Sequence, residues 1–192
     1  MLPAEQHPVA IRDFLAARSG QATSLRLATG ADSEFILSLR LDPARSTHIS
    51  ATSGSLPGQR QWMAAYEARF DAGLEAYFII QHEAKDVGTV RLYDYRPATD
   101  TFCWGSWIIQ PGTHALAGML TPILVYDLAF IGLGFNSAYF DVRNANATVW
   151  KFHEMLGAEL VGEDVLNRMY TYPKSKYPAA RARLHRLIGI TA

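Results

Sequence analysis

Residues 104–157 read WGSWIIQ (104–110), PGTHALAG (111–118), MLTPILVYDLAFIGL (119–133), GFN (134–136), SAYFDVR (137–143) and NANATVWKFHEMLG (144–157), and their order decides the fold. The first and fifth runs are rich in β-branched and aromatic residues and read as strands. The run 119–133 is apolar on every side, as expected of a helix buried in a core. The last run opens on an Asn and closes on Gly157, the usual punctuation of a helix. A strand, a tight loop, a helix and a second strand form a βαβ-like unit. Its first turn offers backbone N–H groups and a helix N-terminus to an anionic group.

Outward from this unit, the N-terminal side supplies three strands in quick succession, 76–81, 87–93 and 101–109, separated by polar turns and read as an antiparallel meander. Before them come a short helix over 9–18, a strand over 24–28, and a helix capped by Thr29 that stops at Asp42-Pro43. The Ser/Thr/Gly/Pro-rich segment 44–58 reads as a flexible, functional loop, and a helix follows over 59–71. On the C-terminal side, 158–162 and 166–172 read as a closing hairpin, and 179–188 as a terminal helix.

The chain has 192 residues, 49% hydrophobic and 19% charged, which suits one globular domain over 1–192 with a helical extension at 1–23 and a tail at 173–192. The formal net charge is zero and no Lys/Arg cluster stands out, so nucleic acid is not an expected partner. With the single Cys103 and no Cys/His grouping at ligand spacing, neither a disulfide nor a structural metal is expected. The first twenty residues lack the basic start and unbroken apolar run of an export signal, and a cytoplasmic setting is expected. Residues 115–135 carry one charge, Asp127, and are long enough to cross a bilayer. Pro122, three glycines and the flanking strands favour a central helix instead, so no membrane is expected.

This order of elements resembles the GNAT superfamily of acyl-CoA-dependent N-acyltransferases over roughly residues 25–172, and the flow GTVRLYDY, FCWGSWII and FDVRNANATVWKFHEMLGA is similar to its ribosomal-protein and amino-sugar acetyltransferase branch. Asn146, Val149, His153, Gly157 and Ala158 fall in the frame of the family's last conserved helix. The resemblance implies an α/β (α+β) fold with a mixed, mostly antiparallel sheet of six to seven strands and helices on both faces. It also implies acetyl-CoA as the acyl donor and direct transfer of an acetyl group to a primary amine. A nucleotide-linked amino sugar or a protein or peptide amine is the acceptor it suggests, and a homodimer is compatible with it. A rival reading is a GNAT-like protein that binds coenzyme A or a related ligand without catalysis.

Two features depart from the family pattern, the pyrophosphate loop and the last helix. In the pyrophosphate loop, Gly118 keeps the last position, but Leu116 stands where Gly is usual and Thr113 where Arg or Gln is usual. His153 occupies the place of the Tyr regarded as proton donor to the departing CoA thiolate. Val149, Phe152, His153 and Leu156 share one helical stripe, so His153 should face inward, where an imidazole can donate a proton or hydrogen-bond a sulfur.

By this resemblance the cofactor contacts are the Trp107, Ile108 and Ile109 backbone, the loop Gly112, Thr113, His114, Ala115, Leu116, Ala117 and Gly118, and Asn146. Asn146 can also act as a side-chain N-cap. Asp94 is a candidate base, with His82 and Glu83 in the nearby turn and Asp141 on the facing strand as others. Trp104, Ser106 and Asp141 are candidate acceptor contacts, the tryptophans suiting a sugar ring. Nothing near Cys103 or Ser106 in sequence supplies a nucleophile–base pair, so a hydrolase is not supported.

Overall fold

The computed structural model describes residues 1–48, 52 and 54–189. Helix α1 (His7–Ala16) precedes strand β1 (Thr23–Leu27), then come α2 (Ser33–Leu41), the single turn α3 (Pro43–Ser46) and α4 (Leu56–Asp71). The meander is β2 (Ala76–His82), β3 (Lys85–Arg96) and β4 (Thr101–Ile109). After it come α5 (Ala115–Tyr126), β5 (Ser137–Arg143), α6 (Ala147–Leu156), the hairpin β6 (Glu159–Glu163) and β7 (Asn167–Pro173), and α7 (Tyr177–Leu187). The seven strands form one sheet in the order β1-β2-β3-β4-β5-β7-β6. The expected mixed, mostly antiparallel sheet is present, with β4–β5 as its parallel pair.

Strand alternation divides the sheet into two faces. Tyr77 and Arg91 are cross-strand partners, as are Arg91 and Gly105 and also Tyr93 and Cys103, so these residues share a face. Helix α4 covers it, with Trp62 edge-on to Tyr77 and Tyr66 bonded to the Tyr77 backbone. Leu92 and Trp104 are partners on the opposite face, where the Trp104 indole N–H donates to the Tyr126 hydroxyl of α5 (3.0 Å).

Helix α5 begins at Ala115, four residues before the apolar run that predicted it, because the His114 imidazole Nδ1 accepts the Leu116 N–H (3.2 Å) and caps it. After Tyr126 the helix widens into a π-helical segment over Asp127–Gly132. The lone charge of this apolar span is fully employed. Asp127 is 3% exposed and accepts from the Tyr177 hydroxyl (2.6 Å) and from Arg181 Nε (3.0 Å) and Nη2 (3.2 Å). The span 115–132 is apolar enough to cross a membrane by composition, but 61% of it is buried inside this fold. Those same bonds dock α7, whose Tyr177, Ala180 and Leu184 are buried. At the other end, His7 spans the Gly73 and Leu2 carbonyls (3.0 and 2.9 Å). Gly73 sits at φ +71°, and a Cβ there would lie 1.8 Å from the Ala4 carbonyl oxygen, so the close approach requires glycine.

The segment 44–58 is less irregular than its composition suggests. Pro43–Ser46 forms a turn of helix, and α4 starts three residues early because Pro57 suits a first turn and Ser55 Oγ accepts the Gly58 N–H (3.2 Å). Residues 49–51 and 53, the middle of the expected loop, lie outside the described residues.

Candidate active site

The site follows from a failure of pairing. Strands β4 and β5 are in register only at Thr101–Ser137 and Phe102–Ala138, after which they part. Across β3, Thr89 pairs with Ile108 and Arg91 with Gly105, so Ser106 and Trp107 form a bulge, and Ser106 takes φ +48°. The Thr89 hydroxyl pins this bulge through the Ser106 carbonyl (3.0 Å). From the bulge onward the β5-facing edge of β4 has no strand partner among the described residues. Such an edge carries backbone donors and acceptors for an extended ligand.

A cavity of about 640 Å³ opens at this gap and reaches both faces of the sheet. On the α5–α6 face its wall includes Trp104, Trp107, Phe140, Val149 and His153. On the α2–α4 face it includes Arg40, Gln59, Trp62, Tyr77, Arg91 and Tyr93. Ser106, Asp141, Arg143 and Asn146 also line it.

His153 points inward as the helical stripe predicts. It is 4% exposed, with ring centroids 4.3 Å from Phe140, 5.4 Å from Trp104 and 5.6 Å from Phe152. Its Nδ1 is buried without a hydrogen-bond partner among the described residues. Burial in this aromatic box pushes its pKa down to about 3, so the ring is neutral at physiological pH. A neutral imidazole keeps one ring N–H that can serve as a hydrogen-bond donor. Cys103 is also buried, which raises its thiol to about 11 and keeps it protonated.

Asn146 stands at the start of α6, but its side chain makes no capping bond, so the side-chain N-cap expected there is absent. The residue lines the cavity instead. Asp141 alternates with Phe140 on β5 and therefore faces the α2–α4 side, where its charge is felt by Tyr93 and Cys103. It is the one carboxylate lining the cavity among the described residues. Asp94 is not part of this wall. It sits exposed at φ +51° and pairs with Arg96, so a base there is corrected to a surface ion pair. His82 ends β2 and Glu83 opens the turn to β3, both outside the cavity lining.

The segment Gly112–Gly118 is likewise set apart from the cavity lining. Gly112 takes φ +77°, Thr113 N–H bonds the Gln110 carbonyl (3.3 Å), and Ala115, Leu116, Ala117 and Gly118 already belong to the first turn of α5. The His114 cap occupies the Leu116 amide, so that donor is not available to an anion in this arrangement. A Cβ on Gly118 would meet nothing within 4 Å, which leaves open space over the helix start. Ile108 is buried in the β3–β4 ladder beside Ile109.

The α2–α4 wall was missed from sequence. Arg40, Gln59, Trp62, Tyr77, Arg91 and Tyr93 come from four separate elements, and only the inward-facing charge of Arg91 in the middle of a β-rich run (VGTVRLY) signals them. Trp104 itself lines the cavity from the α5–α6 face, 5% exposed with its indole N–H tied to Tyr126.

No protein-family model matches the chain, and no curated protein matches it. A solved structure of apo FdhC, a nucleotide-linked sugar GNAT, is 38% identical with a TM-score of 0.78, the match covering 86% of this chain and 94% of FdhC. The chain belongs to the GNAT acetyltransferase family. Two structures of the spermidine N-acetyltransferase SpeG from Vibrio cholerae share the GNAT fold at 18% identity. A mutant form has a TM-score of 0.69, with 84% of this chain and 99% of that one covered. A dodecameric form has a TM-score of 0.67, with 82% and 97% covered. As a GNAT enzyme the protein is an acyl-CoA-dependent N-acetyltransferase acting on an amine.

Proposed function

We propose that this GNAT enzyme transfers an acetyl group from acetyl-CoA to the amine of a nucleotide-linked amino sugar. One observation carries the choice of acceptor. Among the described residues, three arginines, Arg40, Arg91 and Arg143, line the cavity against the single carboxylate Asp141. A polycationic acceptor such as spermidine would be repelled by that balance, whereas a diphosphate would be drawn in. Trp62, Tyr77 and Tyr93 add aromatic surface on the same side for a base or a sugar ring. The 38% identity to FdhC, named as a nucleotide-linked sugar GNAT, agrees with this choice.

In this reading the pantetheine arm of acetyl-CoA runs along the unpaired edge of β4 past Trp107, Ile108 and Ile109, with Asn146 beside it and the helix start at Gly118 under its phosphates. The bulge amides at Ser106–Trp107 face the thioester carbonyl and stabilise the oxygen as negative charge builds on it. The acceptor enters from the α2–α4 side with its amine at Asp141, which takes the proton released as the C–N bond forms. His153 donates a neutral N–H hydrogen bond to the sulfur as the C–S bond breaks. The setting is the cytoplasm, where acetyl-CoA is made available and Cys103 stays reduced.

A thiol-release assay with acetyl-CoA tests this directly. Turnover is expected on at least one nucleoside diphosphate hexose carrying a free amino group, and none above background on spermidine. The opposite ranking would refute the acceptor assignment.

A further inference from the structure

The guanidinium of Arg91 is held in an unusual way for a residue in the middle of a strand. Glu75, just ahead of β2, is 4% exposed and bridges two arginines, accepting from Arg69 Nε (2.8 Å) through Oε1 and from Arg91 Nη2 through Oε2. A carboxylate buried to that degree is tolerated only when paired. Two guanidiniums on one carboxylate leave the trio with a net positive charge. Arg69 and Glu75 lie behind the cavity wall, whereas Arg91 lines the cavity.

The orientation of Arg91 is fixed on both sides. Its guanidinium carbon lies 5.2 Å from the Trp62 ring centroid and 4.7 Å from that of Tyr93. Gly105, its cross-strand partner, leaves room for the Tyr93 ring, whose hydroxyl would lie 2.9 Å from a Cβ at that position. Of the five N–H groups of a guanidinium, one of the two on Nη2 is taken by Glu75, and Nε is buried with no partner among the described residues. Gly58 and Gln59 of the first turn of α4, and Arg40 of α2, line the same side of the cavity. Arg26 shows the contrast, since both of its neighbours Asp32 and Asp86 are carboxylates and its fork is spent within the protein.

We propose that Arg91, aimed by the buried carboxylate of Glu75 and clamped between Trp62 and Tyr93, is the specificity-determining contact for the phosphate group of the acceptor, with Glu75 as its positioning residue. This rests on the nucleotide-linked acceptor proposed above and names the side chains that would enforce it. A planar fork already partly buried and oriented binds a phosphate through two parallel hydrogen bonds, which a flexible Lys ammonium does not reproduce.

The test uses the full chain and isothermal titration with UDP, dTDP and GDP, alongside steady-state kinetics on the matching nucleotide-linked amino sugars. Wild type should bind at least one nucleoside diphosphate. Arg91→Lys should weaken that binding about tenfold to a hundredfold, the loss of one charge-assisted bidentate contact. Glu75→Gln should weaken it by a smaller factor, although Arg91 is still present. In both variants the rise should be in the acceptor KM, with kcat and acetyl-CoA affinity within about twofold. Arg26→Lys, whose carboxylate partners Asp32 and Asp86 and whose own side chain lie outside the cavity lining, should leave the KM unchanged and controls for the loss of a buried arginine network as such.

If wild type acetylates a nucleotide-linked amino sugar and Arg91→Lys does so with unchanged KM, the proposal falls and the acceptor reading stands. If wild type binds no nucleoside diphosphate and acetylates spermidine instead, the acceptor reading falls and takes the proposal with it. Should Glu75→Gln fail to fold, the Arg91→Lys result decides alone.

Discussion

Replacing His153 by Phe should change how stability depends on pH, by an amount the structure sets. In the unfolded chain a histidine titrates near its ordinary value of 6.5, whereas burial against Trp104, Phe140 and Phe152 holds the folded value at about 3. Between those values the unfolded chain binds a proton that the folded chain excludes, so acidification favours unfolding. The slope is about 1.4 kcal/mol per pH unit, starting below about pH 6.5 and saturating near pH 3. From pH 7 to pH 5 the cost integrates to about 2 kcal/mol. Phe carries no such proton and fills a space bounded by aromatic rings, so the variant should be at least as stable at pH 7. Urea denaturation of both proteins at pH 7, 6 and 5 and constant ionic strength measures this. Wild type should lose about 2 kcal/mol more than the variant over that range, the other titrating groups cancelling in the comparison. Parallel stability curves would show that His153 is not held neutral by burial, and the neutral-donor role would go with that finding. The same variant should lower turnover while leaving acetyl-CoA affinity nearly unchanged.

Two further outcomes separate function from packing. Asp141→Asn should lower kcat about a hundredfold, the usual worth of a positioned base, with acetyl-CoA binding intact; a loss below threefold would remove Asp141 from the proton path. Gly118→Leu should leave thermal stability unchanged or raise it by up to about 1 kcal/mol, because glycine is a poor helix former and a Cβ there meets nothing within 4 Å. Acetyl-CoA affinity measured by titration should nonetheless drop at least tenfold, and an unaltered dissociation constant would sink the phosphate role of that helix start.

The elements of the fold were legible because period and punctuation agreed along most of the chain. Strands 137–143 and 101–109 appear where their β-branched and aromatic residues placed them, and Gly157 closes α6 in the left-handed conformation, at φ +98°. Helix starts were less legible, since they depend on side-chain caps the pattern does not reveal. Ser55 and His114 begin α4 and α5 ahead of their apolar runs. Asn146, the residue type most expected to cap, makes no such bond. The α5–α6 half of the site could be read because it lies in one contiguous stretch that matches a family frame. The α2–α4 half comes from residues far apart in sequence, and only the register between β2, β3 and β4 shows that Tyr77, Arg91 and Gly105 lie side by side. Even Glu75, which sets the direction of Arg91, looks in sequence like an ordinary turn carboxylate.

The parting of β4 and β5 also bears on the choice between direct transfer and a covalent acyl-enzyme. An acyl-enzyme needs a nucleophile that both substrates can reach in turn. Cys103 is 6% exposed with its thiol raised to about 11, and the Ser106 hydroxyl hydrogen-bonds no base among the described residues. Neither is activated. The gap instead opens to both faces of the sheet at once, with the aromatic box of His153 on one side and Asp141 with the arginines on the other. Two substrates approaching from opposite faces can meet at the Ser106–Trp107 bulge without either having to leave first. Holding both together converts the reaction into an intramolecular one, which supplies a large part of the rate enhancement without an intermediate on the protein. Initial-rate patterns should therefore intersect when acetyl-CoA and acceptor are varied together, whereas parallel lines would require a covalent intermediate for which this cavity holds no activated nucleophile.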